Sequence, residues 1–179
     1  MKLTTRQITQ TGILLAVCIA SQFFKNLSVY VTGPIVNTTI IIAVLAVGLA
    51  GGLIIAVIAP VTAYFIAASP IISAVPLILP MIMLGNCILA VLVWLFEKKF
   101  TFPARLIVGM LAGSLLKAGF MSLAIVKVLF SLFAAALSEK QLALGKVTFS
   151  VTQLITALTG SVLAFIIWIP LKKLLKKER

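Results

Sequence analysis

The sequence predicts an all-α integral membrane protein with six transmembrane helices and both termini cytoplasmic, forming a single domain over residues 1–179. Three observations predict it. The chain is 63% hydrophobic and only 10% charged, with a mean hydropathy of +1.28, which is not the composition of a water-soluble globule. Its apolar stretches are long and separated by short polar or proline-bearing connections. Its basic residues fall on one side when the spans are counted. Lys2, Arg6, Lys98, Lys99, Arg105 and the cations of 172–179 gather on the side of the termini, against Lys25, Lys140 and Lys146 on the other. The net charge of +12 is therefore read as membrane orientation, not as a nucleic-acid footprint.

The first helix is expected over 5–24. It is too long for a secretory leader and lacks a small-residue cleavage site. Gly12, Ala16 and Ala20 recur at four-residue spacing on one of its faces, a pattern that suits close helix packing. "KNLSVYVTGP" then reads as a connection, with Lys25 and Asn26 at the outer rim. The second helix is expected over 34–47, with Pro34 in its first turn, where a missing N–H costs nothing. The third covers 52–68, with a bend at Pro60 and Tyr64 one turn on. The fourth covers 80–96 and ends in Trp94, Phe96, Glu97, Lys98 and Lys99, an aromatic and basic interface. The fifth covers 103–133. "SEKQLALGKVTFS" reads as a loop, and the sixth helix covers 148–171 before a basic tail.

The fifth helix carries the most informative residue. Lys117 lies near mid-span, where an ammonium in hydrocarbon is costly. Gly113, Ser114, Phe120 and Met121 share its face, and small neighbours there suit another helix's approach, so Lys117 is expected to point into the bundle. The only acids, Glu97, Glu139 and Glu178, fall outside the spans. A buried cation without an internal anion loses its proton, reaches water, or meets an anionic ligand. With the topology above, Asn86 lies about 9 Å below Pro80 at ~1.5 Å per residue. Gln153 sits at similar depth and Asn37 descends from the same side. Lys117, Asn86, Gln153, Asn37, Lys127 and Tyr64 are the candidate solute-binding residues, since convergent polar groups among apolar walls build small-molecule sites. Interhelical hydrogen bonding rivals this for each Asn and Gln, and snorkelling to the interface rivals it for Lys127 and Lys25.

The chain contains no histidine, so imidazole catalysis and imidazole metal sites are excluded, and no metal site is expected. Cys18 and Cys87 read as small packing residues. No phosphate-binding glycine loop or nucleophile–base arrangement is present in the sequence, so neither an enzyme nor a self-energised pump is expected.

Ala16 and Ala20 in "AVCIA", with the stretches "VTGPIVNTTIIIAVLAVGLAGG" and "PLILPMIMLGN", give the chain a resemblance to the substrate-binding S components of energy-coupling factor (ECF) vitamin transporters. The resemblance covers nearly the whole chain. It implies six helices in a bacterial cell membrane and capture of a small vitamin-like solute on the outer side, with the connection between the first two helices forming part of a lid. It also implies a transmembrane T component and two ATPase subunits as partners, ATP being used by those partners alone, and no cofactor of the chain's own. Gly12, Ala16 and Ala20 would then form the face that docks the T component. Lys117 with Asn86 and Gln153 favours a solute bearing a carboxylate or phosphate. The competing expectations are a non-transport scaffold resembling the MreD family and a self-contained secondary transporter, the latter disfavoured by the lack of intramembrane acids.

Overall fold

A computed structural model describes residues 4–24, 28–101 and 103–177, of which 176 and 177 are described by their backbone alone. Every regular element among them is helical. Long helices α1 (Thr5–Gln22), α2 (Val29–Ala46), α3 (Leu49–Ile66) and α5 (Ile78–Lys99) precede α6 (Arg105–Met121). A short α4 (Pro70–Ala74) lies between α3 and α5. Beyond α6 the chain continues through a π-helical stretch, Ser122–Leu129, into α7 (Phe130–Leu132). A 3₁₀ turn (Ala134–Ala136), α8 (Glu139–Thr148) and the long α9 (Val151–Lys177) complete the chain.

Among the described residues, five segments are long and apolar enough to cross a bilayer: α2, α3, α5, the continuous Arg105–Leu132 column and the α8–α9 column. The chain is thus consistent with a multi-pass membrane protein. The first helix falls short of that apolarity, because Arg6, Gln7, Thr9, Gln10 and Thr11 occupy its first half. Outward faces remain apolar, as at Leu111, Leu115 and Leu116 on α6 and Val162, Ile166 and Ile167 on α9. Such faces suit lipid, which asks nothing of them but hydrocarbon.

At the centre of the bundle is α2, 56% buried against 33% for each of the other spans. It packs on α9, α3, α1 and α5. Residues 37–44 are buried without a break. Glycines on both sides of the α2–α9 contact make it close. A Cβ on Gly33 would lie 2.8 Å from Thr156 Cβ, and one on Gly160 would lie 2.6 Å from Asn37 Cβ and 2.8 Å from the Pro34 carbonyl oxygen. Gly48, at φ 110°, makes the turn from α2 into α3 that a side chain would strain.

Three local expectations are corrected. The second helix begins at Val29, not at Pro34: Ser28 caps it, its Oγ accepting from the Tyr30 N–H, and Pro34 lies inside. Tyr30–Gly33 are therefore helix, not connection. "SEKQLALGKVTFS" is mostly α8, not loop. Ser138 and Gln141 form a reciprocal capping box that starts it, and Gly145 seats it against the Phe130 ring. The fifth span is not uniformly α-helical but winds as a π-helix through Lys127. Lys25 and Asn26 lie outside the described residues.

Candidate functional site

Two apolar cores fill the bundle. One joins α1, α2, α3, α5, α6 and α9 through Cys18, Ile40–Val44, Ile55, Leu89, Met110 and Ala164. The other joins α4, α5, the π-helical stretch, α7 and the α8–α9 corner through Ile72, Ile78, Met121, Ile125, Phe130 and Phe149. Between them is a cavity of about 170 Å³. It is bordered by the last turn of α1, the first turns of α2, α5 and α9, and the end of α3. It therefore lies in the half of the bundle farther from both chain ends. Ile72 and Phe149 contribute apolar walls, from α4 and the α8–α9 corner.

Lys117, Asn37, Asn86 and Gln153 all line this cavity. Lys117 is 2% exposed, and its Nζ donates to Asn37 Oδ1 at 2.5 Å. Among the described residues no acid lines the cavity, and Lys117 is the one basic side chain in that lining. Its position follows from packing. Gly85 and Gly113 let α5 approach α6, a Cβ at Gly85 meeting Met121 Cγ at 2.9 Å and the Lys117 stem at 3.6 Å. One turn away, Ser114 Oγ donates to the Met110 carbonyl and lies 3.1 Å from Ser161 Oγ of α9. Asn37 is in turn held by its Nδ2, which donates to the Gly33 carbonyl at 2.9 Å.

Asn86 has a second task. Pro60 has no N–H, so the Ala56 carbonyl one turn earlier lacks its helical donor. Asn86 Nδ2 donates to that carbonyl at 3.3 Å and so ties α5 to α3 at the proline. The hydrogen-bonding rival weighed for Asn86 is therefore real, and it coexists with a place in the cavity wall.

Two candidates fall outside. Lys127 is exposed on the π-helical stretch and does not line the cavity. Tyr64 is half-buried against the second core, with its hydroxyl 3.5 Å from Ser73 Oγ, and does not reach the cavity either. Gln22 is the residue that sequence reasoning missed. It lines the cavity at 2% exposure, and its Nε2 donates to the Ala59 carbonyl at 2.9 Å. The available signal was a glutamine in the last turn of an otherwise apolar helix end.

The second group of candidates is elsewhere. Gly12, Ala16 and Ala20 are all exposed on α1, and a Cβ on Gly12 would meet nothing within 4 Å. This stripe takes no part in packing the bundle. Among the described residues, no three His, Cys, Asp or Glu side chains come together in a way that could hold a metal. No family model, curated protein or solved structure matches the chain.

Proposed function

We propose that the chain is the substrate-binding subunit of an ECF-type ABC transporter in a bacterial plasma membrane, crossing it six times with both termini cytoplasmic. It captures a small, water-soluble, vitamin-like solute bearing a carboxylate or phosphate, which a separate T component and two ATPases then drive inward. The observation that carries this reading is Lys117, a buried cation facing a cavity with no acid in its wall. An anion entering that space gains a charge-assisted hydrogen bond where water competes poorly. With the termini inside, the cavity belongs to the outer half, where capture has to occur.

The exposed Gly12–Ala16–Ala20 stripe supports the partner half of the reading. It leaves helix backbone open to close approach by another membrane helix. A scaffold of the MreD type has no use for a charged, lined cavity, and the cavity favours transport over it. The test is association with a T component and its ATPases in nanodiscs. Ala16→Trp and Ala20→Trp should abolish complex formation while leaving thermal stabilisation by added solutes intact. Complex formation that survives both substitutions would remove the stripe from the interface. Solute stabilisation seen with no vitamin-like carboxylate or phosphate would remove the transport reading itself.

A further inference from the structure

Gln22, which lines the cavity, carries a polar atom that the described residues leave unsatisfied. Gln22 Oε1 is buried and has no hydrogen-bond partner among the described residues. The rest of the carboxamide is committed: Nε2 donates to the Ala59 carbonyl at 2.9 Å and lies 3.8 Å from Cys18 Sγ. Exchanging nitrogen and oxygen would set two oxygens against each other at Ala59, so the amide orientation is determined by the α1–α3 contact. A buried acceptor left in this state is an energetic defect unless something supplies a donor. The neighbouring carbonyls of α3 cannot, and the donors of Thr32, Asn37, Asn86, Lys117 and Thr148 in the lining each serve another acceptor.

We infer that Gln22 is a specificity-determining residue, its Oε1 accepting a hydrogen bond from a neutral N–H or O–H group of the solute whose anionic end meets Lys117. This rests on the reading of the cavity as a solute site and adds the second recognition point. A neutral donor fits better than an ammonium, because no carboxylate is present to balance a second cation beside Lys117. The volume gives a scale for the part of the solute held there. At about 170 Å³ the cavity takes a single six-membered ring with short substituents, since a cavity of about 150 Å³ accommodates benzene. The implied ligand class is a small monoanion with an amide, ring N–H or hydroxyl away from its acidic group.

The experiment uses the full chain in nanodiscs and matched probes: benzoate, 3- and 4-hydroxybenzoate, and 3- and 4-carbamoylbenzoate, with affinities measured by calorimetry. The wild type should bind at least one donor-bearing probe tenfold or more tighter than benzoate. Gln22→Met should lower that probe to the benzoate level and leave benzoate itself within about twofold, whereas a merely structural role would weaken every probe alike. Lys117→Met should weaken all of them. Benzoate binding that depends on Lys117, without any donor preference in the wild type or with a preference that survives Gln22→Met, would overturn the Gln22 assignment and leave the anion site standing. Failure of every probe to bind, or binding indifferent to Lys117, would overturn both. If Gln22→Met does not fold, the wild-type ratio between matched probes decides the matter.

Discussion

Two cations sit on the same helix, and the protein treats them in opposite ways. Arg105, at the start of α6, meets its own anion: its Nε donates to Glu97 Oε2 at 3.2 Å and its second terminal nitrogen to Oε1 at 3.3 Å, with both side chains partly exposed. Lys117, near the middle of the continuous Arg105–Leu132 column, is buried against a cavity and has only the neutral oxygen of Asn37 for a partner among the described residues. The first arrangement closes on itself, and water and headgroups lie within reach. The second leaves a charge without a counter-charge where desolvation is most costly. A fold that wanted only stability would place methionine or leucine there. The contrast marks Lys117 as a buried basic side chain that the described residues leave without an anion, and the proposed solute would supply one.

The comparison can be broken first at Lys117. Lys117→Met should reduce affinity for an anionic solute by roughly 100-fold, equivalent to about 3 kcal/mol. It should leave the thermal midpoint of the ligand-free protein nearly unchanged, because relief of the buried amine's desolvation offsets the acceptor that Asn37 Oδ1 is left without. A large fall in the midpoint would make Lys117 a structural residue. Gly160→Ala should come next. Its methyl would run into Asn37 and the Pro34 carbonyl, so α9 must move off α2 at a cost of about 1–3 kcal/mol. Solute affinity should fall with it as Asn37 shifts, and calorimetry beside thermal unfolding separates the two effects.

A comparable effect is expected from Asn37→Leu, which strips Lys117 of its hydrogen bond and should destabilise the protein by about 1–3 kcal/mol. Combined with Lys117→Met, most of that loss should disappear, since the pair is coupled; strict additivity in the double-mutant cycle would deny the contact. Arg105→Gln should do least. Solute affinity should not change and the thermal midpoint should stay within error, as a pair near the surface contributes little. A clear loss of binding from Arg105→Gln would erase the distinction between the two cations.

Much of this contrast was legible in the residues. Small residues and an isolated lysine on one face of an apolar helix placed Lys117 in the bundle. Counting spans brought Asn37, Asn86 and Gln153 to its level, and all three reach the same cavity. Depth alone does not decide Lys127: it lies near the outer end of its span, and its exposed side chain on the π-helical Ser122–Leu129 stretch follows the snorkelling rival, not the cavity. The capping box of Ser138 and Gln141 was readable, yet the polar run that follows conceals a helix from hydropathy alone. Gln22 was not legible, because what marks it is an unsatisfied oxygen, and only three-dimensional packing shows which acceptors lack donors. Asn86 carries a related lesson. Its partner is a carbonyl released by Pro60 on another helix, a pairing that neither local sequence contains.

The most direct measurement is native mass spectrometry of the protein purified from cells, with the wild type and Lys117→Met compared side by side. The account predicts that the wild type carries a small anionic compound which dissociates on activation, and that the folded variant carries none. The same compound retained by both proteins, or a wild type stabilised by no anion at all, would contradict it.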